Sequence, residues 1–334
     1  MFFIGLAVLW ARAPTAHADA SSTPLSWEAA RAEAQALVAQ MSATEKASLM
    51  LGTGWSEGTL TKWHFVGNIP PIARLGVPPL NMMDAAGGFR TYWTELVGTV
   101  TCWPSLLSLG ASWDPGLVQR FGAALGAEFS GKGANTILGP SVNVHRVARN
   151  GRNFEYLSGE DPYLGSRLVP AYVQGVQAAG VMAVTKHYAL NQQETHRESA
   201  SSVVDDATKW QLYYPPFEAA VRAGASGVMC SYNKVNGTYA CADAGAIARD
   251  LKGTMGFRGF VQSDWGATHS ALTLTLALAL ALALTPAPTL IPTPTTTHNP
   301  NINPNPNPHP HPHPHPHPHP NPNPNQARRT RPPR

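Results

Sequence analysis

After Ser270 the chain has no Asp, Glu, Lys or Gly and no aromatic residue; its only charges there are Arg328, Arg329, Arg331 and Arg334. Removing those four from the 24 Lys and Arg leaves 20, equal to the 20 Asp and Glu. The +4 net charge therefore sits on a basic tip and not on a binding face, which argues against nucleic acid as a partner. Neither a GxGxxG turn nor a P-loop occurs, so nothing points to a dinucleotide or nucleotide cofactor, and none is expected. The longest uncharged apolar stretch outside the N-terminus, Ala271 to Leu284, is too short for a stable membrane span. Cysteine is scarce: Cys102, Cys230 and Cys241 allow one disulfide and leave one thiol over.

What is present divides the chain into three. Residues 1–18 hold an apolar core (Phe2 to Trp10) and a small-X-small site at Ala16-His17-Ala18, which resembles a secretory leader although no Lys or Arg precedes the apolar run. Export to the extracellular space is expected. It would give meaning to a disulfide between Cys230 and Cys241, whose intervening Asn236-Gly237 suits a tight hairpin, and to the glycosylation sequon at Asn236. Residues 19–270 carry globular patterning. Residues 271–334 alternate Leu with Ala and Thr, then turn to Pro, Asn-Pro and His-Pro repeats, a composition that cannot bury a core and predicts a disordered tail. Its six histidines from His309 to His319 read as a simple repeat and not as a metal site.

Within the globular part, helices are predicted from Trp27 to Met41, from Ser42 (a capping box with Glu45) to Leu51, from Asp114-Pro115 to Gly131, from Asp161-Pro162 to Gly180, from Asp205 or Asp206 to Ala223 with an interruption at Pro215-Pro216, and from Asp243 to Leu251. Short apolar runs lie between them: Pro78 to Met83, Ala134 to Val144, Val181 to Thr185, Ser226 to Cys230 and Gly259 to Gln262. Alternating strands and helices imply a parallel sheet. Each run ends in a polar cluster, near Asp84, Asn143 to Arg152, Lys186-His187, Tyr232 and Asp264. Polar tips from several strands meeting on one face predict an α/β fold of the (β/α) TIM-barrel type, whereas an open sheet would gather its ligand groups at one switch point. With nothing after Ser270 resembling a further unit, the barrel is expected to be incomplete at its C-terminal end.

Asp264 ends a buried-looking run and is followed by Trp265 and Gly266: a strand-tip carboxylate beside a ring able to stack on an apolar sugar face. Taken in order, Asp84-Ala-Ala-Gly-Gly-Phe-Arg90, Gly151-Arg-Asn-Phe-Glu155 with Glu160-Asp-Pro-Tyr163, Lys186-His187, Met229-Cys-Ser-Tyr232-Asn and Ser263-Asp264-Trp265 resemble the N-terminal barrel domain of glycoside hydrolase family 3, above all its secreted β-glucosidases. The resemblance covers about Trp27 to Ser270. It implies a retaining mechanism with Asp264 as nucleophile. It also implies that Asp84, Arg152, Lys186 and His187 bind sugar hydroxyls, and that Arg90, Met229, Tyr232 and Trp265 line a pocket for one sugar. Positive charge from Arg152 and Lys186 is expected to keep Asp264 ionised. The expected partners are β-linked glucosides or short oligosaccharides.

Two departures stand out. The family usually has Asp-Gly-Pro where this chain has Asp84-Ala85-Ala86. The family's β-glucosidases also carry their acid/base in a second α/β domain, absent from this sequence, and His196 lies in a motif unlike the one that supplies a histidine in other members. A β-xylosidase and a non-catalytic glycan-binding remnant remain alternative readings.

Overall fold

In the computed structural model the described residues are 25–52, 65–85, 87–92 and 94–269. The expected leader and the tail therefore lie outside them. The capping signals of the sequence set where the helices begin. Helix α1 (Trp27–Gln40) starts at Ser26. At α2 (Ala43–Ser48), Ser42 Oγ accepts from the Glu45 amide at 3.2 Å and Glu45 Oε2 accepts from the Ser42 amide at 2.8 Å, a reciprocal box. After the short α3 (Leu106–Gly110), Asp114 caps α4 (Pro115–Gly131) and Asp161 caps α5 (Pro162–Ala178), each with Pro in the first turn, where a missing N–H costs nothing. Helix α6 (Pro215–Arg222) follows a wide-turned segment, Lys209–Tyr213.

Six strands form one mixed sheet in the order β1 (Gly67–Ile69), β2 (Leu80–Asp84), β3 (Thr136–Leu138), β4 (Met182–Tyr188), β6 (Gly227–Cys230) and β9 (Phe260–Ser263). From β2 to β9 every pairing is parallel, as the strand–helix alternation predicts; β1 runs antiparallel to β2. Strands β3, β4 and β6 are buried along their whole length, the pattern of a parallel sheet covered on both faces. Strand β9 is buried only at Phe260, as suits an edge. Among the described residues β1 and β9 do not pair, so the sheet is open, as an incomplete barrel would be, and the described strands do not by themselves make the expected TIM-type barrel. It is nevertheless curled, because both edge strands line one cavity of about 590 Å³. Ser201–Ser202 (β5), Lys234–Val235 (β7) and Thr238–Tyr239 (β8) make a small second sheet.

Helices α4 and α5 cross closely on the core. A Cβ at Gly175 would stand 2.4 Å from the Gln119 carbonyl oxygen, and one at Gly122 would stand 2.8 Å from that of Tyr172. Glycine is what lets the two backbones touch. Beneath them Ile137, Val184, Val228 and Phe260, one from each neighbouring strand, are fully buried. Truncating a residue such as Phe260 to Ala would cost about 3–5 kcal/mol.

Several boundaries differ from the sequence reading. The expected strand Ala134 to Val144 is a regular strand only over Thr136–Leu138; Gly139-Pro140 interrupts it by removing a ladder donor, and beyond them a single parallel bridge joins Ser141 to Lys186 of β4. The expected helix from Asp243 is a π-helix over Gly245–Thr254, its last turn held by Met255 N–H to the Asp250 carbonyl. Strand β1 was not anticipated: three residues are too few to show a period. No helix among the described residues is long and apolar enough to cross a membrane.

Candidate active site

The C-terminal ends of β2, β4, β6 and β9 and the loops after β2 and β3 open onto a cavity of about 770 Å³, within the range of small-ligand sites. Asp84, Arg90, Arg152, Lys186, His187, Met229, Tyr232, Asp264 and Trp265 all line it, so the nine residues singled out from the sequence meet in one place. His196 is exposed and is not among the lining residues.

Adjacent residues of a regular strand point to opposite faces, so Lys186 and His187 should not both enter one cavity. The register of β4 against β6 breaks between Thr185 and Tyr188, and this irregularity turns both side chains inward. Asn143 fixes the break. Its Oδ1 accepts from the His187 amide at 2.7 Å, and its Nδ2 donates to the His187 carbonyl at 3.0 Å. Of the polar cluster from Asn143 to Arg152, Asn143 thus serves the site by holding β4, whereas Arg152 lines the cavity.

Asp84 sits at the tip of β2. Its Oδ1 lies 3.7 Å from Lys186 Nζ, and its Oδ2 accepts from the Tyr92 hydroxyl at 2.7 Å and from Arg90 Nη1 at 3.4 Å. Burial alone would raise its pKa, but Lys186, the Tyr92 hydroxyl, Arg90 and Arg152 together hold it below the ordinary aspartate value. Asp264 behaves oppositely. Burial raises its pKa, and the Trp265 amide, Lys186, the Tyr232 hydroxyl and Arg152 offset that only in part. The cations therefore act in the expected direction without winning. Its Oδ1 is pinned at 2.8 Å by the Trp265 N–H, leaving Oδ2 toward His187 Nε2 at 3.7 Å.

That last contact is not an ion pair. His187 is buried, and burial, followed by Arg152, Lys186 and Arg197, depresses its pKa well below the usual histidine value. Arg152 Nη2 lies 3.1 Å from Nε2, and a guanidinium only donates, so Nε2 carries the lone pair. The proton is then on Nδ1, which faces the Tyr156 hydroxyl at 2.9 Å. His187 is a neutral acceptor toward the cavity, not a cation.

Arg152 is the hub of the loop after β3. Its Nε pairs with Glu155, and its Nη1 lies 3.7 Å from Glu194. Glu194 also binds Arg197 at 2.7 Å, and the Arg197 guanidinium stacks 4.2 Å from the Tyr232 ring centroid. The cavity residues Tyr92, Phe154, Glu155 and Arg197 were given no role from the sequence. Glu155 had a signal, the i,i+3 spacing to Arg152; Tyr92 and Arg197 had none. Trp265 stands 40 % exposed against Gly67 of β1, where a Cβ would lie 3.2 Å from its ring. Cys230 and Cys241 are joined by a disulfide just behind Ser231. Asn236 and Gly237 occupy the β7–β8 turn with φ of 50° and 90°, and the Asn236 carboxamide bonds both backbone groups of Val204.

A model of the glycosyl hydrolase family 3 N terminal domain matches residues 30–286, somewhat past the boundary expected at Ser270. The chain belongs to this family. The probable beta-glucosidase M of Neosartorya fischeri is 43% identical over 260 residues, covering 74% of this chain and 32% of that protein. A beta-glucosidase of Rhizobium radiobacter is 43% identical over 234 residues, covering 69% of this chain and 27% of that protein. Among solved structures, beta-glucosidase D2-BGL from Chaetomella raphigera superposes with a TM-score of 0.69 at 38% identity, over 76% of this chain and 34% of that one. DesR, a beta-glucosidase from Streptomyces venezuelae in complex with D-glucose, gives 0.66 at 36% identity, over 72% of this chain and 30% of that one. The chain spans about a third of the length of the curated relatives it matches. Its likeness is to β-glucosidases throughout.

Proposed function

We propose that the chain carries the glucose-binding and nucleophile-bearing part of a retaining β-glucosidase acting on terminal β-D-glucosyl residues. The observation that carries this reading is the meeting of two carboxylates in one cavity, half-buried Asp84 beside Lys186 and buried Asp264 between the Trp265 amide and neutral His187. Asp264 attacks the anomeric carbon and forms the glycosyl-enzyme intermediate. Asp84, Arg90, Arg152, Lys186 and His187 hold the sugar hydroxyls, Met229 and Tyr232 wall the pocket, and Trp265 offers an apolar face. Each of the other two cavity carboxylates is tied to a cation, Glu155 to Arg152 and Asp84 to Lys186 and Arg90, so neither suits the task of protonating a leaving group. The general acid is therefore assigned to a group outside the described residues. The curled parallel sheet, with its polar tips on one face, fits a (β/α) barrel. In the same reading, residues 1–18 direct export, and Asn236 is a glycan acceptor.

The test uses a 2-fluoro-glucoside with a dinitrophenolate leaving group, which needs no acid to depart. It should label Asp264, located by intact mass and peptide mapping, while cellobiose turns over at least roughly 10²-fold more slowly than an equally activated glucoside. Label on another carboxylate would overturn the assignment. Glucose binding with no labelling at all would mean a glycan-binding module.

A further inference from the structure

The closest contact to Asp84 comes from a neutral hydroxyl, not from a cation. Tyr92 Oη lies 2.7 Å from Oδ2, against 3.4 Å for Arg90 Nη1 and 3.7 Å for Lys186 Nζ to Oδ1. Tyr92 stands eight residues beyond the strand tip, outside the motif that contains Asp84, and also lines the cavity. The Arg90 guanidinium lies 4.8 Å from the centroid of its ring, and the Arg90 side chain is 62% exposed. An aspartate carboxyl rotates in a broad well about χ2, and a partly solvated arginine does little to arrest it. A short hydrogen bond from a half-buried phenol does arrest it. With Tyr92 and Arg90 on Oδ2 and Lys186 3.7 Å from Oδ1, the carboxylate is held from both oxygens while it lines the cavity.

We propose that Tyr92 is the positioning residue for Asp84, its hydroxyl setting the carboxylate orientation in which two sugar hydroxyls can be bound. This rests on the reading that Asp84 binds the sugar. The phenol suits the role because burial, then the Asp84 carboxylate itself, push its pKa up, so it stays a donor throughout the working pH range. The groups facing Asp84 are Lys186 from β4, Arg90 and Tyr92 from the loop after β2, and Arg152 from the loop after β3. Removing the Tyr92 hydroxyl takes away one of the influences that hold Asp84 ionised, so its pKa should rise.

Tyr92→Phe keeps the ring under Arg90 and deletes only the hydroxyl. Glucose binding to the full chain, followed by calorimetry across pH, should weaken roughly 10- to 100-fold, the usual effect of losing a hydrogen bond to a charged group. The acid side of the binding curve should also move to higher pH. Asp84→Asn is measured in parallel. If it binds glucose like the parent, the sugar-binding reading itself fails. If Asp84→Asn abolishes binding while Tyr92→Phe binds within twofold of the parent and keeps the same acid limb, the reading survives and the role of Tyr92 is overturned. Weaker binding with an unmoved acid limb would equally refute it, since general loosening of the loop would not select for the ionisation of Asp84.

Discussion

Replacing Arg152 by Met should destabilise the domain much more than a surface arginine would, and a second substitution should restore it. The side chain of Glu155 is 5% exposed, and Arg152 supplies its ion pair. Glu194, the other carboxylate ion-paired with Arg152, keeps Arg197 at 2.7 Å and so remains compensated. Removing Arg152 therefore strands one buried charge, and breaking a buried pair from one side costs about 3–5 kcal/mol. Against a typical total stability of about 5–15 kcal/mol this is a large fraction. At roughly 2–4 °C per kcal/mol for a domain of this size, Tm should fall by about 6–20 °C. Removing both charges with Arg152→Met and Glu155→Met should recover most of the loss, since apolar replacement of a whole buried pair is often near neutral. Sugar affinity should stay low in the double variant, because Arg152 is proposed to touch the ligand. Thermal unfolding of the parent, both single variants and the double variant decides it. A single-variant loss below about 1 kcal/mol, or a double variant no better than Arg152→Met, would show that Glu155 is not a desolvated charge.

Three further outcomes follow from the same geometry. Asp264→Asn should raise Tm at pH 7, because the folded pKa of Asp264 lies above its ordinary value and ionisation is costly there; the gain should shrink as pH falls toward about 4, where the unfolded carboxyl protonates too. Cys230→Ala with Cys241→Ala should lose about 2–4 kcal/mol, and the parent Tm should fall similarly in reductant, with the disulfide verified by intact mass. Gly175→Ala should cost about 1–3 kcal/mol by chemical denaturation, since its Cβ would meet the Gln119 carbonyl backbone at 2.4 Å, and backbone does not yield as a side chain does.

The sequence was most legible where local chemistry acts alone. Ser42, Asp114 and Asp161 announce helix starts because a short side-chain oxygen beside free amides does the same thing in any context. The residues that meet in the cavity were legible through their motifs, but the way they are brought together was not. Nothing in Lys186-His187 says that two neighbours will share a face; that comes from a register break held by Asn143, 44 residues away from His187. The neutrality of His187 was equally hidden, since it depends on burial and then on Arg152 arriving from another loop, which with Tyr156 also fixes the tautomer. Tyr92 escaped because a return of the chain eight residues long has no period to detect. The incomplete TIM-type barrel is inferred from polar tips on several strands, a pattern that a curled open sheet satisfies as well.

Two of the cavity carboxylates, Asp84 and Asp264, are tuned in opposite directions, and this has a consequence for pH. Both are largely buried, and both feel Lys186 and Arg152. Each also accepts from a phenol, Asp84 from Tyr92 and Asp264 from Tyr232; what differs is that Asp84 has a third cation, Arg90, whereas Asp264 Oδ2 faces a histidine that is held neutral. A protonated His187 would pair with Asp264 and lower its basicity; as a neutral acceptor it leaves the charge available for attack. On the proposed roles, lowering the pH should silence Asp264 first and Asp84 later. The rate of labelling by the activated 2-fluoro-glucoside should therefore fall at a higher pH than glucose affinity does. Measured on one preparation, the two acid limbs should be separate and in that order. A single shared limb, or affinity failing before labelling, would mean that the opposite tuning of the two carboxylates does not govern the site.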